Sequence, residues 1–205
     1  MFGEETGESE FPWEVMVEGA RGQGGGSLIS RRHVLTAAHI LHTNRKLNRL
    51  NMQEVKVFLG SHNQKKLRYV LVKRVIEHPE YKELDKFPLF DFALIELAKP
   101  VTISDTIKPI CLPADSSVTF AGLPALATGW GRTEEAAHAY GVDKLMKAAL
   151  TIVDAASCAA SYAEKNMTIS ECMLCADAPV ADACKGDSGG PLVVEEPSNR
   201  WTLVS

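Results

Sequence analysis

The chain has 205 residues, enough for one large domain or two small ones packed together. A composition of 45% hydrophobic and 23% charged residues is ordinary for a globular protein, and a net charge of −4 gives no ground for nucleic-acid binding. No apolar run reaches the roughly 18 residues of a membrane helix, and no secretory signal opens the sequence, so secretion would require a longer precursor.

Short β-branched and apolar runs recur between turn residues. They predict strands at Glu14–Val17, Ser27–Ile29, Val55–Leu59, Arg68–Ile76, Phe92–Leu97, Leu123–Thr128, Lys144–Val153, Pro191–Val194 and Trp201–Val204. Gly22–Gly26, His78-Pro79, Lys99-Pro100 and Glu196-Pro197-Ser198-Asn199 read as turns between them. One stretch reads as a helix, Ala155–Lys165, with Asp154 as its cap; His39–Leu41 predicts a single helical turn. Many short strands with such punctuation point to an all-β barrel or sandwich. The basic residues near 45–49 and 65–74 are interrupted by apolar ones and read as solvated faces.

The most informative segment is Cys184-Lys185-Gly186-Asp187-Ser188-Gly189-Gly190-Pro191. Its glycines let the backbone bend around Ser188 and crowd a substrate carbonyl. Upstream lie Thr36-Ala37-Ala38-His39 and Phe90-Asp91-Phe92-Ala93-Leu94, so the chemistry-bearing residues run in the order His, Asp, Ser. The chain resembles the trypsin/chymotrypsin family of serine proteases. Further landmarks of the resemblance are Phe11-Pro12-Trp13-Glu14-Val15, Gly25-Gly26-Ser27-Leu28-Ile29, Pro109-Ile110-Cys111-Leu112-Pro113, Thr128-Gly129-Trp130-Gly131 and Met173-Leu174-Cys175-Ala176.

The resemblance implies two antiparallel Greek-key barrels of six strands each. The first is expected over 1–113 with His39 and Asp91, the second over 114–205 with Ser188, and the triad in the cleft between them. It also implies that the second barrel is incomplete, since its last strands, one wall of the specificity pocket and a terminal helix would follow Ser205. The isoleucine whose freed amino group pairs with Asp187 would precede Met1.

A serine hydroxyl is a weak nucleophile until a neighbouring imidazole takes its proton, the role the resemblance implies for His39. Asp91 would accept the other imidazole N–H and stabilise the imidazolium. The backbone N–H groups of Gly186 and Ser188 are implied as donors to the oxyanion. Asp182, six residues before Ser188, stands where the family places the floor of its primary pocket. A carboxylate there implies cleavage after Arg or Lys through charge-assisted hydrogen bonds. This chemistry needs no cofactor.

The five cysteines are Cys111, Cys158, Cys172, Cys175 and Cys184. Cys172 and Cys175 form a C-x-x-C without a second pair, so no metal site is expected. The basic loop Ser61–Arg68 is likewise unsuited to calcium. The resemblance implies a Cys158–Cys175 bridge, a link from Cys111 to an upstream module of a secreted zymogen, and a partner for Cys184 beyond Ser205. Asn166-Met167-Thr168 is a glycosylation sequon in a secreted chain. Two bridges common in the family are absent, at Gly24 with Ile40 and at Ala125 with Val194. That pattern resembles the complement C1r, C1s and mannose-binding-lectin-associated proteases. Protein substrates are the expected partners, with no nucleic acid and no membrane. The alternative is a non-catalytic binding module, or an inactive fragment, on the same fold.

Overall fold

The computed structural model describes residues 3–42, 54–84, 88–115, 118–132, 141–164, 167–170, 173–178 and 185–204. Strands dominate: β1 (Glu4–Glu5), β2 (Glu14–Gly19), β3 (Gly22–Ser30), β4 (His33–Thr36), β5 (Lys56–Leu59), β6 (Arg68–Val70), β7 (Val72–Glu77), β8 (Ala93–Leu97), β9 (Pro124–Gly129), β10 (Met146–Val153), β11 (Cys175–Asp177), β12 (Leu192–Glu195) and β13 (Trp201–Leu203). The helix α1 spans Ala155–Ala163, where Asp154 Oδ1 accepts from Ser157 N–H at 2.9 Å and caps the first turn. The fold is all-β, with two antiparallel sheets.

The first sheet runs in the order β6-β5-β2-β3-β4-β8-β7. Its two edge strands follow one another in the chain, so the sheet curls back on itself. The single strand expected at Arg68–Ile76 is broken at the exposed Leu71, and the register slips again between Val72 and Arg74. Such irregularity is how a strand turns a barrel corner. That break explains why this sheet has seven strands where six were expected.

The glycine run Gly22–Gly26, expected to be a turn, lies inside β3 instead. Close approach is the reason. A Cβ on Gly24 would stand 2.6 Å from the Ser188 carbonyl oxygen, and one on Gly25 would stand 2.6 Å from Gly190 Cα. The strand must lie bare against the loop that carries Ser188.

The second sheet runs β1-β10-β9-β12-β13, with β11 also on β10. Along β10, Ala148, Leu150 and Ile152 face inward while Ala149 and Thr151 face solvent, the period-two pattern of a sheet with one buried side. The very short β1 and β11 were not foreseen, because two or three residues carry no periodic signal. β4 was missed as well, since His33 and Thr36 mask its apolar Val34 and Leu35.

One hydrophobic cluster spans both sheets. Val15, Val17, Leu28, Val34, Val57 and Ile95 of the first sheet join Trp130, Leu145, Val193 and Leu203. Phe11, Trp13 and Trp201 form a triangle at 5.9–6.2 Å between ring centroids, each such contact contributing on the order of 1 kcal/mol beyond its buried area. Packing across the sheets therefore sets the cleft between them. Cys158 and Cys175 form a disulfide with a Cα–Cα distance of 6.1 Å, pinning α1 to β11. Cys111 is exposed and makes no disulfide among the described residues. Among those residues no helix is long and apolar enough to cross a membrane.

Candidate active site

His39 sits on a short 3-10 turn, Ala38–Ile40, that follows β4 directly. Asp91 lies two residues before β8, the neighbour of β4 in the sheet. Adjacent strand ends therefore deliver both side chains to one rim. His39 Nδ1 stands 2.6 Å from Asp91 Oδ2, and the His39 backbone N–H donates to Asp91 Oδ1 at 2.8 Å. Both carboxylate oxygens are thus engaged by the same residue, which fixes ring orientation as well as position. The imidazole keeps Nδ1–H toward the acid and leaves Nε2 as the free base in the neutral ring.

Ser188 is exposed on a tight turn between Gly186 and Gly190. Gly186 and Gly189 have φ values of +104° and +77°, a region side chains avoid. At Gly189 a Cβ would also meet Thr36 Oγ1 at 2.5 Å and the Ala37 nitrogen at 2.8 Å, so the serine loop rests directly on the end of β4. Gly25 N–H donates to the Ser188 carbonyl at 2.8 Å. Ser188, His39 and Asp91 line one cleft of about 310 Å³. No hydrogen bond joins the Ser188 hydroxyl to the His39 ring among the described residues. The N–H groups of Gly186 and Ser188 also make no hydrogen bond to another described residue.

Asp187 points the other way, into the protein. It is buried, and its Oδ1 accepts from Gly131 N–H at 2.7 Å. Any Cβ on Gly129 or Gly131 would collide with its carboxylate, so the Thr128-Gly129-Trp130-Gly131 segment is shaped around this acid. Asp182, Asn166, Cys172 and Cys184 lie outside the described residues.

The sequence reading missed part of the cleft wall. Pro88, Phe90 and Phe92 flank Asp91, and Met173 and Leu174 face them, giving an apolar wall beside the polar centre. Phe90 has φ of +50°, unusual for a bulky residue, with its ring stacked on His78 at 4.9 Å and 9°. The available signal was an aromatic on each side of a lone Asp. Glu14 was missed too, although a carboxylate inside Phe-Pro-Trp-Glu-Val-Met-Val breaks an apolar run. It is buried, and its Oε2 accepts from the Thr128 hydroxyl while Oε1 has no partner among the described residues. Burial pushes its carboxyl well above the usual range, with Thr128 opposing and the Asp187 charge adding to the shift.

The Trypsin family matches residues 1–203. The chain belongs to the trypsin family. Members of that family are serine endopeptidases, and three similar proteins illustrate the match. Phenoloxidase-activating factor 3 of Holotrichia diomphalia is 35% identical over 93% of this chain and 58% of that protein. CLIP domain-containing serine protease B4 of Anopheles gambiae is 33% identical over 98% of this chain and 60% of its own length. Clotting factor C of Tachypleus tridentatus is 32% identical over 98% of this chain but only 22% of that protein. The chain thus spans less than two thirds of each of these relatives.

Proposed function

We propose that this chain is the peptidase part of a secreted modular zymogen, a trypsin-like endopeptidase that cleaves after Arg or Lys. The observation that carries the reading is the doubly held His39–Asp91 pair, 2.6 Å apart at the ring, in one cleft with the exposed Ser188. In this reading Ser188 Oγ attacks the scissile carbonyl as its proton passes to His39 Nε2, and Asp91 balances the imidazolium. The N–H groups of Gly186 and Ser188, unengaged among the described residues, receive the oxyanion. His39 then protonates the departing amine, and a water molecule, deprotonated by the same ring, releases the acyl group. Catalytic hydrogen bonds in free enzymes are often long and tighten only with substrate, which accommodates a serine not yet bonded to the ring.

Asp182 supplies the negative floor that selects Arg or Lys, and the apolar wall at Phe90, Phe92 and Leu174 receives neighbouring substrate side chains. Asp187, turned inward beside Gly131, is the acceptor for an amino group freed by activation. His39 and Asp91 belong to a first half over 1–113 and Ser188 to a second over 114–205. Cys111, exposed and unbridged among the described residues, is the attachment point for an upstream module, and Asn166 is the glycosylation site. The relatives' names speak of activating phenoloxidase and of clotting, which supports reading this chain as a step in a proteolytic cascade. The absent cysteines at 24, 40, 125 and 194 extend that to complement-like innate immunity.

A fluorophosphonate probe applied to the activated full-length protein is expected to label Ser188 and to spare a His39→Ala variant. An unlabelled Ser188 in the activated protein would overturn the reading and favour a binding module on the same fold.

A further inference from the structure

We propose that His42 and Glu77 form a positioning pair that holds the His39–Asp91 dyad in register from behind; the proposal rests on the active-site reading above. The strand register shows how. Ala93 on β8 pairs with Thr36 on β4 and with Glu77 on β7. Three neighbouring strand ends therefore meet at one rim: β4 leads three residues on to His39, β8 follows two residues after Asp91, and β7 stops at Glu77. His42, three residues past His39, crosses behind this rim, with Nε2 2.8 Å from Glu77 Oε1. The short segment carrying His39 is thus tied to β8 through Asp91 and to β7 through His42.

A second path closes the circuit. His78, next to Glu77, donates its backbone N–H to the Phe92 carbonyl at 2.9 Å and stacks its ring on Phe90. Asp91 sits between those two phenylalanines, in a stretch that Phe90 enters with left-handed backbone. Tyr81 covers the pair from below: its ring stacks on His42 at 5.1 Å and 19°, and its backbone N–H donates to the His78 carbonyl at 2.9 Å.

His42 is not placed there to fill space. Its side chain is fully buried, Nδ1 has no partner among the described residues, and the Nε2 contact with Glu77 Oε1 is close but off the line of a hydrogen bond. An aliphatic side chain would stack on Tyr81 without that burden of buried polar atoms. What the imidazole adds is an attachment to Glu77 that an apolar residue lacks.

The test uses the activated full-length protein with His42→Phe, which keeps a ring against Tyr81, and Glu77→Gln, whose side chain is 25% exposed and tolerates the change. Each is expected to lower kcat about tenfold with KM nearly unchanged, since small displacements of a catalytic group are costly. The loss should fall on kcat and leave KM alone, a split that a merely structural change would not produce. The double variant should be no worse than either single one. Unchanged kcat, with only a lower melting temperature, would overturn the proposal, as would additive losses. Should His42→Phe not fold, Glu77→Gln carries the test alone. Failure of the unsubstituted protein to label at Ser188 would sink the active-site reading, and this proposal with it.

Discussion

Replacing Glu14 by Gln should make the protein more stable, by an amount that grows with pH. Glu14 is 5% exposed, its Oε2 accepts from the Thr128 hydroxyl, and its other oxygen has no partner among the described residues. Burial raises its folded-state pKa well above the value it has in the unfolded chain. Between those two pKa values the folded protein holds a proton that the unfolded chain has released. The unfolded state then binds fewer protons, so stability falls as pH rises, by about 1.4 kcal/mol per pH unit. Glu14 thus contributes most below its unfolded pKa, and that contribution is lost through the window above it. Gln carries no such linkage, keeps an acceptor for Thr128, and offers an N–H₂ to the small cavity that Glu14 shares with His62, whose Nδ1 also has no partner among the described residues. Urea unfolding of both proteins at steps from pH 4 to 8 reads the difference directly. It should be near zero at the acid end, rise with about that slope, and level off above the folded pKa. Because the group is buried, added salt should change the slope little. A difference flat across the range would refute the reasoning, for it would mean that Glu14 ionises as readily folded as unfolded.

Other substitutions probe the cleft. Gly189→Ala, at φ of +77° and with its Cβ 2.5 Å from Thr36 Oγ1, should destabilise by about 3 kcal/mol and reduce probe labelling at Ser188; thermal melts and labelling of one preparation check both. Gly131→Ala would put a Cβ 2.5–2.7 Å from the Asp187 carboxylate atoms. It should displace that acid and abolish labelling while circular dichroism keeps its strand signal. Asp182→Ser should lower kcat/KM on Arg and Lys ester substrates by at least about a hundredfold, since the substrate cation loses its charge-assisted partner. An unchanged ratio of Arg to Phe substrates would remove Asp182 from the specificity pocket.

Glu14 and Asp187 also bear on one another. Asp187 raises the pKa of Glu14 through its charge, and both acids sit against one strand end, Glu14 at Thr128 and Asp187 at Gly129 and Gly131. Two buried carboxylates so placed favour one neutral and one ionised form.

Much of the site was legible in the chain itself, because its chemistry is written in local runs. Gly-Asp-Ser-Gly-Gly needs a bent, bare backbone around a serine, and the positive φ at Gly186 and Gly189 is that requirement in coordinates. Period-two patterning likewise located most strands, β10 above all, since one buried face imposes alternation on its residues. Other features depend on neighbours far away in the chain and left no local mark. Gly22–Gly26 resembles a turn in sequence, and only the approach of the Ser188 loop makes it a strand. The approach of His42 to Glu77, the inward turn of Asp187 and the raised pKa of Glu14 are set by what folding brings beside them. Local sequence fixes backbone preference and burial period; contacts between distant segments decide which polar groups lose water and which partners they find.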